Sequence, residues 1–484
     1  MWKPKDKIKY DPNPGKWPSK EEALASRWFS PIKIGSISLN ARTWIPAMVP
    51  WRSTDDGIVT DRVLAWYERF AQGQPGCIVV EATGIRDVPS GPLLRIGHDR
   101  YIPGLKELSE TVNRASSGKT KLFIQLIDFL SIRRRPDANK FFSRFLTITE
   151  NHRNAIGQIN WTDDQVRDFL SNCSDNDLDR ILSSREIEDL RMGTRERVTD
   201  TELEHIRLLP EVLPSLFADA ADRAKRAGLD GVELHYAHAY TMASFLSKKN
   251  TRDDGYGGKI ESRVKLPLEV FQAVRDRVGD DYPVGCRFLS DECIDGGSTL
   301  EDARFFALEF ANAGMDFISL SRGGKFEDAK QPPVGGAIYP YTGKSGYECM
   351  PAYISDEQGP FGRNIKPTSS IKKVINAKGF KTPIILAGGI HGFEIAEKLI
   401  QEGHADIVAS ARQSLADPDW FLKASLGKGG DIRLCTYSNY CEGLDQKHKI
   451  VTCKLWDRED LSDPNIQKSD DNKRRLIAPS WKIS

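Results

Sequence analysis

Between residues 29 and 455 the chain alternates two hydrophobic patterns. Short apolar runs occupy 43–48, 77–82, 122–126, 231–234, 284–288, 317–320, 384–387 and 406–410. Longer stretches with one apolar stripe follow them at 60–72, 102–116, 208–227, 260–278, 299–313, 367–378, 393–402 and 417–426. The first pattern is that of a strand buried on both faces, the second that of an amphipathic helix. In 208–227, Leu213, Leu216, Ala220, Ala224 and Ala227 keep near-helical spacing, and Gly228 supplies a stop. Eight such units in succession predict an α/β fold, a parallel (β/α)8 TIM barrel with its chemistry at the C-terminal strand ends.

Breaks in the alternation mark additions. Residues 1–28, rich in Lys, Pro and Asp, read as an N-terminal extension that lies on the surface or is mobile. Residues 29–40 read as a hairpin closing the bottom of the barrel. The barrel itself takes 29–455, and the charged and polar residues 456–484 form a wrapping or mobile tail. A helical insertion of about 130–205 follows strand 3. It contains Arg133, Arg134 and Arg135, and Thr162-Asp163-Asp164-Gln165 and Ser183-Ser184-Arg185-Glu186 read as capping boxes, which predict ordered helices. A long loop after strand 6, from Gly323 to about Arg363, holds Tyr339, Tyr341, Tyr347 and Tyr353. Both additions leave from the active face. A lid or pocket wall and a surface decoration or oligomer contact are equally good readings of them.

Composition narrows the function classes. A net charge of +1 over 484 residues gives no field favouring nucleic acid or an anionic membrane, and 39% apolar residues support a sizeable core. No apolar run is long enough to span a bilayer, and the start, M-W-K-P-K-D-K-I-K-Y, lacks an apolar signal core. A soluble cytoplasmic protein is expected, and a homo-oligomer is compatible with it. Eight cysteines are too few for a secreted disulfide framework, and Cys77 and Cys286, inside strands, read as core residues.

Chemistry concentrates in 231–258. After the strand come His235, His238 and Tyr240, two imidazoles and a phenol that can hold a carbonyl oxygen and deliver a proton. Asn250, Arg252, Asp254, Tyr256, Gly257 and Gly258 follow. The pair of motifs, H-x-x-H-x-Y then N-x-R-x-D-x-Y-G-G, resembles the old yellow enzyme family of FMN-dependent ene-reductases over roughly residues 29–455, the insertion apart.

The resemblance implies an FMN site and assigns its contacts. Pro46, Ala47, Met48 and Val49 would lie under the isoalloxazine edge, Ala82 against the ring, Gln125 at its polar edge and Arg287 near N1 and O2. The phosphate would sit at Gly388, Gly389, Ala411 and Arg412, where Ala411 replaces the family's usual glycine but keeps its backbone N–H. The implied reaction takes hydride from NADH or NADPH through FMN to the β-carbon of an α,β-unsaturated carbonyl or enoyl thioester. His235 and His238 would polarise the substrate and Tyr240 would protonate the α-carbon. No G-x-G-x-x-G follows a strand, so no dinucleotide domain like that of larger relatives is expected.

Three features depart from the family. Val49 stands where relatives often carry Thr or Cys, so a lower flavin potential is expected. Asp128 stands where relatives often carry His, and a structural role fits it best. The 2,4-dienoyl-CoA reductase-like branch binds a [4Fe–4S] cluster through C-x2-C-x3-C-x11-C. Here the nearest set is Cys435, Ser438, Cys441 and Cys453, with serine as second ligand and the gap before Cys441 one residue short, a degenerate set, so no metal is expected. Two alternatives accompany the ene-reductase reading: a flavin-dependent dehydrogenase of an amine or dihydro-aromatic substrate, and a non-catalytic flavin-binding barrel.

Overall fold

The computed structural model describes residues 12–323, 331–336 and 360–482. Eight parallel strands close into a barrel in the order β10-β3-β4-β5-β6-β7-β8-β9. They are β3 (Thr43–Ile45), β4 (Cys77–Gly84), β5 (Lys121–Ile127), β6 (Gly231–Tyr236), β7 (Val284–Leu289), β8 (Ile318–Ser321), β9 (Ile384–Ala387) and β10 (Ile407–Ala409). The antiparallel hairpin β1 (Ile32–Ile34) and β2 (Ile37–Leu39) precedes them. Each expected barrel strand is therefore present. β3 stops before Pro46, which has no N–H to give to a ladder.

The outer helices run Asp61–Gln72, Ile102–Ala115, Leu209–Arg226, Ile260–Val278, Leu300–Asn312, Ile365–Ala377 and Phe393–Gln401. The helix expected at 417–426 is Trp420–Ser425, and a separate short helix, Arg412–Ala416, precedes it. Pro418 disfavours the helical conformation at Asp417, which is extended there.

Inside the barrel, Trp44, Phe123 and Phe317 meet with ring centroids 5.4–5.5 Å apart. Ile34 and Leu39 of the hairpin join the same buried cluster, which fills the barrel from below. A larger apolar layer joins the strands to the helices. Strand alternation is broken once to functional effect. The pairing of β4 with β5 shifts between Val80 and Ala82. The bulge turns Glu81 outward, where it accepts from the Tyr67 hydroxyl at 3.0 Å, and turns Ala82 into the barrel mouth.

The insertion is helical. Glu150–Ile156, Asp163–Ser171, Asp175–Ile181 and Ser184–Met192 pack around a core that includes Phe142, Val166 and Leu170, and both expected capping boxes form. Its entry pairs with the segment after β8: Arg135 N–H donates to the Gly336 carbonyl at 2.9 Å, and Gly335 N–H donates to that of Arg135 at 2.8 Å. The four loop tyrosines lie outside the described residues. Residues 12–28 are anchored, because Trp28 is fully buried against Trp420 and Phe421 and its N–H donates to Glu397 at 2.7 Å. Trp456 and Leu476 are buried too, and Arg69 donates to the Ala478 and Pro479 carbonyls. Among the described residues no helix is long and apolar enough to cross a membrane.

Candidate active site

A cavity of ≈ 1040 Å³ opens at the C-terminal strand ends. The residues that the family resemblance assigns to the flavin and to the reaction all lie on its wall. Pro46, Ala47, Met48 and Val49 follow β3, Ala82 and Gln125 stand on β4 and β5, and Arg287 stands on β7. Gly388 and Gly389 follow β9, Ala411 and Arg412 follow β10, and His235, His238 and Tyr240 come from β6 and the turn after it.

The turn is tight. His238 and Ala239 both take left-handed backbone conformations, φ 63° and 61°. Side chains rarely adopt that region, and two in succession at a cavity are strain of the kind held at functional sites. The turn folds His238 back beside His235, with Nδ1 3.4 Å from Nε2 of His235. Ala237 N–H donates to His235 Nδ1 at 3.1 Å, which leaves the proton on Nε2. His238 Nε2 lies 2.7 Å from Ser321 Oγ. Arg287 donates to Ser319 Oγ at 3.0 Å and reaches Ser321 Oγ at 3.4 Å. Tyr240 stands edge-on to His235, centroids 5.6 Å apart, and to Phe129 at 5.1 Å.

Burial, with Arg287 as a second cause, pushes His235 down to about 3. Burial and the neighbouring His235 and Arg287 push His238 well below the usual imidazole value. Burial and then Asp445 raise the Tyr240 phenol above its ordinary value. At neutral pH the site therefore presents two uncharged imidazoles and a phenol that keeps its proton.

The glycine pair has steric reasons. Gly388 and Gly389 hold φ 127° and 68°, and a Cβ on Gly389 would lie 2.0 Å from the Pro360 carbonyl oxygen. Arg412 is held by Asn439, to which it donates at 2.9 Å, and sits over the Tyr437 ring at 4.7 Å. Open backbone N–H groups beside a fixed guanidinium are a donor set for a phosphate.

Several wall residues escaped the sequence reading. Ser319 and Ser321 connect Arg287 to His238, and their signal was two hydroxyls alternating along an otherwise apolar strand. A second group comes from beyond the barrel. Trp51 stacks on His448 with centroids 4.2 Å apart and donates to Asp445 at 2.7 Å. Glu442, pushed up to about 7 by burial, lines the same wall. Of the three consecutive arginines, Arg134 lines the cavity, whereas Arg133 covers Phe145 and Arg135 is tied to the Pro332 carbonyl.

Asp128 lies behind the wall. It is buried and forms a two-point ion pair with Arg86 at 2.6 and 2.9 Å, which fits a structural role. Cys435, Ser438, Cys441 and Cys453 gather around one void of ≈ 20 Å³, room for about one water. Burial raises the Cys435 thiol and pushes Cys441 up to about 12 and Cys453 up to about 11. Three cysteines with a hydroxyl in fourth place, around so small a void, depart from a four-thiolate set.

Comparison with known proteins agrees with this geometry. The family described as NADH:flavin oxidoreductase / NADH oxidase matches residues 27–133 and 210–429, on either side of the helical insertion. A "NADH oxidase" of Thermoanaerobacter brockii is 32% identical over 417 residues, 85% of this chain and 52% of the relative. An "N,N-dimethylglycine/sarcosine dehydrogenase" of Chromohalobacter salexigens is 26% identical over 460 residues, 93% of this chain and 56% of the relative. The chain thus spans about half the length of these relatives. Among solved structures, a 2-naphthoyl-CoA reductase complex matches with TM-score 0.64 at 20% identity, covering 91% of this chain and 60% of that one, a likeness of fold. Barrel, cavity and family model coincide on the same residues: the chain belongs to the NADH:flavin oxidoreductase / NADH oxidase family, that of the old yellow enzymes.

Proposed function

We propose that the chain is an FMN-dependent oxidoreductase that reduces the C=C bond of an α,β-unsaturated carbonyl or enoyl thioester with NAD(P)H. The observation that carries this reading is the convergence of His235, His238 and Tyr240, all uncharged, on one cavity that also holds a glycine cradle, an amide and two arginines. FMN fits these residues. Gly388, Gly389, Ala411 and Arg412 would hold its phosphate, and Gln125 and Arg287 its polar pyrimidine edge. Pro46 to Val49 and Ala82 offer the ring an apolar bed. When bound, FMN supplies a two-electron carrier that accepts hydride from NAD(P)H and passes it to an electrophilic carbon.

The chain's own residues prepare the other partner. His235 offers Nε2–H. In the resting site that N–H faces His238 Nδ1 at 3.4 Å, so the His238 proton lies on Nε2 and faces Ser321 Oγ at 2.7 Å, while Arg287 reaches the same oxygen at 3.4 Å. The electron-withdrawing oxygen of a substrate would break this contact and accept the imidazole N–H in its place. That grip draws electrons from the C=C bond. Tyr240 holds its proton for the α-carbon. Arg287 stabilises negative charge that develops at the ring's edge.

Replacing Tyr240 by Phe removes the proton and little else. Reduction of the bound flavin by NAD(P)H should be unchanged, while its reoxidation by an enone should slow by roughly 10²–10⁴-fold, the usual worth of a general acid. Wild-type reoxidation by the Phe variant would overturn the assignment.

One feature favours a second reading, oxidation of an amine or dihydro-aromatic substrate. Glu442, Asp445, Trp51 and His448 give part of the wall carboxyl and aromatic character suited to a cation. Anaerobic bleaching of the flavin by an amine, with no reoxidation by enones, would select it.

A further inference from the structure

Beneath the cavity lies an acid that the reaction above does not use. Glu233 stands on β6 two residues before His235, on the same inward face, and is fully buried. In the barrel register it pairs with Gln125 on β5. Gln125 Nε2 donates to Glu233 Oε1 at 2.6 Å, whereas Glu233 Oε2 has no hydrogen-bond partner. Burial raises this carboxyl above its ordinary value, and the charge of Arg287, one strand over, and the Gln125 hydrogen bond act against that shift in favour of the ionised form. A fully buried carboxylate with one oxygen unsatisfied is costly, and in this fold it is tolerated directly under the polar end of the site.

We propose that Glu233 is a positioning residue that fixes the Gln125 amide and offsets the charge of Arg287, and thereby sets the reduction potential of the flavin. The inference rests on the FMN reading above. A carboxylate can only accept, so it holds the NH₂ of Gln125 and leaves the amide oxygen for the cavity. The pyrimidine edge of a flavin carries an N–H between two carbonyls, and the amide oxygen is the atom that matches that N–H. The second effect is electrostatic. The negative charge beneath Arg287 weakens its hold on an anionic reduced ring, and so lowers the potential.

Glu233→Gln keeps the volume, removes the charge, and replaces an acceptor-only group by an amide that no longer dictates which end of Gln125 it meets. Potentiometric titration of the flavin-loaded variant should show the affinity for reduced over oxidised flavin rising about tenfold, roughly 30 mV upward for a two-electron couple. An unchanged potential with an unchanged flavin absorption spectrum overturns the proposal. If the variant does not fold, the reduced-minus-oxidised infrared difference spectrum of the unaltered protein decides. Shifts in carboxylate and glutamine amide bands are expected, and no change in those bands overturns it. Protein that takes up no flavin refutes the FMN reading and this inference with it, whereas bound flavin with an unmoved potential refutes this inference alone.

Discussion

Val49 shows how much a single side chain can decide. It lines the cavity after β3, where related chains often offer a hydroxyl or thiol, and its isopropyl group can give no hydrogen bond to a flavin carbonyl. Val49→Thr is nearly isosteric and restores a donor. A hydrogen bond that strengthens on reduction is worth about 1 kcal/mol, so the potential should rise by roughly 20 mV for a two-electron couple. Potentiometry checks this, and an unmoved potential would show that Val49 does not touch the ring. Residue identity at such points was legible before any fold was known, because His235, His238, Tyr240, Gln125 and Arg287 sit in recognisable motifs. Ser321, Glu233 and Trp51 were not legible. Each acts through a neighbour from another strand or from the chain's far end, and short-range pattern carries no record of such pairings.

At the scale of elements, periodicity was a sound guide wherever packing alone set the outcome. The eight barrel strands and the first seven long helices lie within a few residues of their expected places. The last expected helix begins only at Trp420, because Pro418 restricts Asp417, a local rule that apolar spacing overlooks. The bulge at Glu81 had no sequence signal, yet it turns Ala82 into the mouth. Element geometry also bears on the segment from Cys435 to Cys453. Its helix Tyr440–Asp445 sends Glu442 and Asp445 to the cavity wall, while Cys435, Cys441 and Cys453 close on a void of ≈ 20 Å³. With three cysteines and Ser438 in fourth place, protein purified anaerobically should contain less than one iron and one acid-labile sulfide per chain. Four of each would show that the segment opens around a cluster after all.

For the whole molecule, the family match divides the chain in an informative way. It skips the helical insertion and stops before the segment that carries Glu442, Asp445 and His448. The barrel, with its imidazoles, phenol and glycine cradle, lies within the matched residues, and part of the wall above it lies outside them. Arg134 of the insertion lies 3.4 Å from His448 of the C-terminal segment, so the two additions meet over the cavity. Substrate choice should therefore respond to substitutions at Arg134 and His448, a pairing between distant segments that short-range pattern in the sequence does not record.

The central claim is that a flavin in this cavity accepts hydride from NAD(P)H and gives it to an activated double bond. Anaerobic reduction of the flavin-loaded protein by NADH or NADPH, followed by mixing with a panel of enones and enoyl-CoA thioesters, tests it most directly. The flavin absorbance should bleach with the nicotinamide nucleotide and return with at least one unsaturated acceptor, yielding its saturated product. A flavin that neither bleaches with NADH or NADPH nor recovers its colour with any acceptor of the panel would contradict the account.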